Sequence, residues 1–270
     1  MILLHYVSNG STRLAVKTAQ GVFDAGGTTL DDIFSGQAPS VTGDPLDEGT
    51  LVYAPSVPRP GKIVCVGHNY RKHVEESGAE MPENPVLFSK YLNALTASGQ
   101  DVPIPSVTTQ CDYEAELVIV IGRHAERVSE ANATDYVFGY SNGNDISARD
   151  LQRLTPQWML GKTLTKFGPV GPYLCSREEM GSFATQPIRC SVNGELRQDS
   201  VLGDMIFGVP ELVSFISRHF PLDPGDIIFS GTPSGVAMGR EDKPWLKPGD
   251  EVVVEVGPLG RLVSHMVEGD

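Results

Sequence analysis

Cysteine is scarce in this chain and never clustered. The four, Cys65, Cys111, Cys175 and Cys190, form no C-x-x-C pair, and no Cys/His grouping has the spacing of a zinc site. That argues against a zinc site, and four scattered cysteines suit a reducing, cytoplasmic setting better than a disulfide framework. Basic residues are also short: 21 Lys and Arg stand against 34 Asp and Glu, a formal net charge of −13. So acidic a chain repels phosphate backbones and anionic lipid, which argues against nucleic acid or a membrane as partner. Long apolar runs are missing too. None approaches membrane-spanning length, and residues 1–6 are too short for a signal peptide before Ser8, Asn9 and Gly10 break the run. There is no internal repeat and no low-complexity segment.

What is present is an ordinary globular composition of 270 residues, 40% apolar and 20% charged, enough for one large domain with a small appendage. Residues 1–55 read as that appendage, a small β-rich domain. It has strands over 2–7 and 13–17 about a turn, then a short helix capped by Thr28 or Thr29. Three prolines within 55–61 read as a linker, and the main domain runs over 60–270. In it, strands are expected over 62–67, 86–90, 113–122, 135–141, 226–229, 251–256 and 262–267. A hairpin over 188–196 turns on Asn193-Gly194, and an amphipathic helix covers 209–219.

The chain is organised around residues 112–122, which begin with acids and end as an apolar run closed by Gly122. If the strand includes its acidic start, Glu114 and Glu116 share a face, because side chains alternate along a strand. Their Cα atoms then sit roughly 6–7 Å apart, at about 3.3 Å of rise per residue. Such a pair is either a solvated edge or an oxygen-rich site for a hard divalent cation. His73 and Glu76 stand at i and i+3, which on a helix makes them neighbours. They are surface charges, or an imidazole oriented by a carboxylate to act as a general base. The irregular residues 77–85 that follow would suit a lid. Asp145 falls where a strand empties into Asn142-Gly143-Asn144, a place where functional groups tend to sit. A helix is expected from Ser147 as N-cap with Asp150 at the third position, and it puts Arg149 and Gln152 on one face.

These pieces occur in order. They are Gly67-His68-Asn69-Tyr70 with His73 and Glu76; Asp112-Tyr113-Glu114-Ala115-Glu116-Leu117; Asn144-Asp145-Ile146-Ser147-Ala148-Arg149-Asp150 with Gln152; Gly161-Lys162; and 230–236, Ser-Gly-Thr-Pro-Ser-Gly-Val. Together, over roughly residues 60–269, they resemble the fumarylacetoacetate hydrolase family. The resemblance implies an α+β, β-rich fold, a mixed β-sandwich or roll of the kind called a β-clam, assembled as a homodimer. It implies Mg²⁺ or Mn²⁺, with Ca²⁺ in some members, held by Glu114, Glu116 and Asp145. Lys162 matches the lysine beside the metal, and His73 with Glu76 the pair that activates water. Arg149, Gln152 and Thr232 match substrate-holding positions, and Tyr70 is counted with them. His68 stands at a position that varies in the family. The implied reaction is hydrolysis of the C–C bond of a 2,4-diketo acid of the acylpyruvate type, releasing pyruvate. Oxaloacetate decarboxylation and hydroxymuconate-type isomerisation are the alternatives on the same site. A non-catalytic metal-stabilised protein is the remaining one.

Overall fold

The computed structural model describes residues 1–270, the side chain of Thr42 excepted. In chain order its strands are β1 (Ile2–Ser8), β2 (Ser11–Thr18), β3 (Gly21–Asp24), β4 (Thr42–Leu46), β5 (Tyr53–Ala54), β6 (Ile63–Gly67), β7 (Val86–Ser89), β8 (Leu95–Thr96), β9 (Gln100–Ile104) and β10 (Cys111–Asp112). They continue as β11 (Ala115–Ile121), β12 (Val137–Asn144), β13 (Ser147–Ala148), β14 (Gly168–Ser176), β15 (Pro187–Val192), β16 (Glu195–Val201), β17 (Ile227–Phe229), β18 (Glu251–Val256) and β19 (Arg261–Glu268). The helices are α1 (Leu30–Phe34), α2 (Arg71–Ser77), α3 (Arg149–Gln152), α4 (Met159–Lys162) and α5 (Val209–His219). The fold is α+β and β-rich, as expected.

One large mixed sheet runs β4-β3-β2-β1-β14-β12-β11-β17-β6-β7, and a five-stranded sheet, β16-β15-β18-β19-β9, packs on it. The N-terminal strands are β-rich as expected, and they extend the large sheet through antiparallel pairing of β1 with β14. The apolar run of β11 is long because both of its faces are covered. Leu117, Ile119 and Ile121 enter the core shared with Val252, Val254 and Val256 of β18. Val118 and Val120 point the other way, among Leu3, Ile63, Val170 and Phe229. Helix α5 closes the main core with Val209, Leu212, Val213 and Ile216, spaced on one stripe. Each such buried side chain contributes about 1.5–3 kcal/mol relative to exposure. The hairpin turns as its sequence requires: Asn193 and Gly194 both take positive φ, at 52° and 79°.

Three local expectations are corrected. The strand expected over 113–122 begins only at Ala115, so Glu114 lies outside it. The Glu114 N–H donates to the Asn144 side chain (3.0 Å) rather than to a ladder carbonyl. Ser147 does not cap a helix. It pairs in β13 with β10, and α3 starts one residue later from Ala148 without a side-chain cap. Asp150 is drawn away to accept from Thr108 Oγ1 (2.6 Å) and Thr109 N (2.9 Å). The strand expected over 135–141 starts and ends later, as Val137–Asn144, after a 3₁₀ turn Glu130–Tyr136. Thr29, one of the two candidate caps, does close the capping box of α1.

Candidate active site

Strand direction assembles the site. β11 is antiparallel to β12 and β17, and β17 is parallel to β6. The start of β11 therefore meets the ends of β6, β12 and β17 on one edge of the sheet. Glu114 immediately precedes β11, Glu116 lies within it, and Asp145 immediately follows β12. One carboxylate oxygen from each comes within 4.8 Å of the others, and all three residues are buried. Asp145 N donates to Glu114 O (2.9 Å), which joins the two ligand-bearing segments by backbone. Glu116 Oε2 accepts from Gly231 N at 2.7 Å. Gly231 has φ +99°, and a Cβ there would lie 2.7 Å from that of Asn69, so only glycine brings this N–H to Glu116.

Cations surround the triad. Lys162 Nζ donates to Glu114 Oε2 (2.6 Å) and Asp145 Oδ2 (2.8 Å). Arg149 donates from Nε to Asp112 Oδ2 (2.8 Å), from Nη2 to Glu114 Oε1 (2.6 Å) and from Nη1 to Gln152 Oε1 (3.0 Å). Lys90 is buried beneath them. Its three hydrogens go to the carbonyls of Ile146, Lys162 and Phe167 at 3.1, 2.6 and 2.7 Å. Its ammonium also lies 2.7 Å from Asp145 Oδ1, but with three donors already engaged it offers charge there and no hydrogen bond.

The charges separate the two glutamates. Burial pushes Glu114 up, but Arg149 and Lys162 outweigh it and hold Glu114 well below the usual carboxylate range. Burial, then the charges of Asp145 and Glu114, push Glu116 far above that range. Burial pushes Lys162 down, but Asp145 and Glu114 outweigh it and hold it above its ordinary value. A divalent cation fits the residues present. The donors are hard carboxylate oxygens, and Asp145 Oδ1 is buried with no hydrogen-bond partner.

A cavity of about 40 Å³ opens on the triad, lined also by His68, His73, Phe88, Arg149, Trp158, Lys162 and Thr232. Helix α2 supplies His73 and ends at Gly78, in the left-handed conformation at φ 66°. His73 is buried, with Nδ1 3.4 Å from Glu76 Oε2, which leaves Nε2 as the other ring nitrogen. Glu76 in turn accepts from Gly235 N at 2.9 Å, tying α2 to the 230–236 loop.

The structure brings Glu114, Glu116, Asp145, Lys162, Arg149, Gln152, His73 and Thr232 to one cavity, with Glu76 behind His73. Thr232 gives its hydroxyl hydrogen to Ala115 O (2.9 Å) and accepts from Gln198 (2.8 Å), so its hydroxyl is committed within the protein. Tyr70 does not reach the cavity. It packs in the main core with its backbone bridged to Met205. Sequence reasoning passed over Lys90, Asp112 and Trp158. Asp112 was legible as the acid opening the 112–117 motif. It accepts from Arg149 and from Ala237 N (2.7 Å) and Met238 N (3.0 Å). Lys90 and Trp158 carry no local signal.

The sequence profile described as fumarylacetoacetate (FAA) hydrolase C-terminal matches residues 62–267. The chain is 42% identical over 218 residues to a fumarylacetoacetate hydrolase domain-containing protein 2 homolog of Dictyostelium discoideum, covering 77% of this chain and 72% of that one. It is 42% identical over 234 residues to the oxaloacetate tautomerase YisK of Bacillus subtilis, covering 82% and 78%. The fumarylacetoacetate hydrolase of Exiguobacterium antarcticum superposes over the full length of both chains, with a TM-score of 0.87 at 30% identity.

Proposed function

The chain belongs to the fumarylacetoacetate hydrolase family, and from that membership we propose that it is a divalent-metal-dependent tautomerase of short 2-oxo acids of the oxaloacetate type. The observation that carries this reading is the Lys162 ammonium, which gives two hydrogens to Glu114 and Asp145 and keeps a third for a ligand oxygen in a cavity that also holds His73. Mg²⁺ or Mn²⁺ held by Glu114, Glu116 and Asp145 would supply Lewis acidity toward the carboxylate and 2-oxo oxygens of the substrate. His73 Nε2 takes a proton from C3 while Glu76 stabilises the imidazolium through Nδ1. The electron pair moves into the C2–C3 bond, and the charge developing on the 2-oxo oxygen meets the third Lys162 N–H. Return of the proton to that oxygen completes the enol. Arg149 keeps two further N–H groups, and Gln152, which orients it, keeps its amide N–H groups for the acid's carboxylate.

The identity to an oxaloacetate tautomerase supports this choice over C–C hydrolysis. Hydrolysis of an acylpyruvate would use the same residues, with His73 activating water. The test is spectroscopic. Purified protein with Mg²⁺ should speed the ultraviolet absorbance change of oxaloacetate enol converting to ketone, and a chelator should abolish the effect. His73→Ala should slow it about 10²- to 10⁴-fold, the usual contribution of a general base. Pyruvate release from acetylpyruvate at a higher kcat/KM than oxaloacetate tautomerisation would move the assignment to hydrolase.

The reading includes a cytoplasmic homodimer. The four thiols are unpaired, and no helix among the described residues is long and apolar enough to cross a membrane. Tyr91, Leu92, Met159 and Leu160 are exposed near the site, with Tyr91 hydrogen-bonded to Met159 Sδ (2.9 Å), an apolar surface that suits a second copy. Light scattering should give twice the chain mass of 29.1 kDa, and a monomer would sink this part of the reading.

A further inference from the structure

His68 occupies a backbone position that a glycine would fill without strain. It has φ +54°, between the end of β6 and the start of α2. A branched or bulky residue there is strained, and strain of this kind concentrates where a side chain is needed. The position is held by its neighbours on both sides. Asn69 binds the carbonyls of Phe207 (3.0 Å) and Ser230 (2.7 Å) and accepts from Phe207 N (2.8 Å), and Gly67 leaves no room for a Cβ against Trp158. The imidazole lines the cavity and packs edge-on to Trp158 at 5.4 Å, and Trp158 packs edge-on to Phe88 at 5.3 Å. Its ring centroid is 6.3 Å from that of His73. The ring is half-buried and lines the cavity.

The other donors of the cavity are largely engaged. Lys162 and Arg149 serve Glu114, Asp145 and Asp112, and the Thr232 hydroxyl serves Ala115. The N–H groups that Lys162, Arg149 and Gln152 retain serve the 2-oxo end in the reading above. The remaining wall is Val66, Phe88, Trp158 and Met238, which offers nothing to a charge. We propose that His68 receives the second carboxylate of the substrate and so selects a dicarboxylic 2-oxo acid over a monocarboxylic one. This rests on the 2-oxo acid reading above. With the 2-oxo end held at the triad and His73 at C3, a carboxylate one bond beyond C3 comes to the wall that carries His68, whose ring centroid is 6.3 Å from that of His73.

The test compares His68→Gly and His68→Gln with wild type, all loaded with Mg²⁺. Glycine accepts the positive φ, so that variant keeps the fold, and a thermal melt checks this. Glutamine keeps an N–H at similar reach. Calorimetry measures pyruvate and oxaloacetate binding, and the enol assay measures oxaloacetate turnover. His68→Gly should weaken oxaloacetate binding and lower its kcat/KM about 10- to 100-fold, the loss expected for a hydrogen bond to a charge. Pyruvate binding should stay within about twofold, and His68→Gln should restore most of the oxaloacetate affinity. Equal losses for both acids, or none for either, overturn the proposal. If wild type binds both acids but turns over neither, the tautomerase reading fails while the binding comparison still decides the role of His68.

Discussion

Glu116→Ala is expected to lose divalent-metal binding and turnover together, with kcat/KM on oxaloacetate falling by at least about 10³-fold. Glu116 is the triad member without an ion pair among the described residues, and it accepts a hydrogen bond from Gly231. Glu114 has Arg149 and Lys162, and Asp145 has Lys162 and Lys90. Removing Glu116 therefore takes away the carboxylate that no ion pair of the chain balances, and the remaining two are paired with lysine and arginine. Titration calorimetry with Mg²⁺ and Mn²⁺ reads the binding. A variant that keeps metal or rate would dismiss the triad as the metal site.

The same residue sets a pH dependence whose sign can be worked out. Burial and the neighbouring acids raise Glu116 above its ordinary value of 4.5. Below that value both folded and unfolded chains hold the proton, and the group does not bias folding. Above it the unfolded chain ionises and the metal-free folded chain does not, so stability falls as pH rises through this group. Metal reverses the preference, because the bound carboxylate must be ionised. Metal uptake by wild type should release a proton and strengthen with pH, and Glu116→Ala should lose both the release and the stability slope. Melting curves between about pH 5 and pH 8, with and without Mg²⁺, measure this.

The second large effect is on folding. Arg149→Met should destabilise the protein by about 3–5 kcal/mol, because Asp112 and Glu114 stay buried without their shared guanidinium. At about 2–4 °C per kcal/mol for a chain near this size, the melting temperature should drop by roughly 10 °C. Methionine matches much of the volume, which separates the charge effect from a cavity. Asp112 also holds the backbone of 237–238, so the loss should reach the wall that carries Met238. Mg²⁺ should recover part of the stability, since it neutralises Glu114. A melting temperature unchanged from wild type would mean that the pair is already balanced by solvent.

Much of this was legible in local pattern. The apolar run of β11, the Asn193-Gly194 turn and the helical stripe of α5 each follow from a short-range rule of period or turn chemistry. The triad was legible as acids at strand ends joined to a family motif, and His73 with Glu76 as neighbours one helical turn apart. The exact limits of the strands were not. Glu114 leaves the strand because its N–H finds Asn144, a residue 30 positions away. Tyr70 sits inside the family motif yet turns into the core.

The sequence by itself determined the fold class, the chemistry of the acid triad and the sign of the surface. Those depend on residue type and near-neighbour spacing. Only the tertiary structure decided which cation answers which acid: Lys90 under Asp145, Arg149 between Asp112 and Glu114, and none for Glu116. It also decided that Trp158 and His68 wall the cavity. Electrostatic partnership in a buried site depends on distances of a few ångströms between residues tens of positions apart, and chain pattern carries periodicity but not distance.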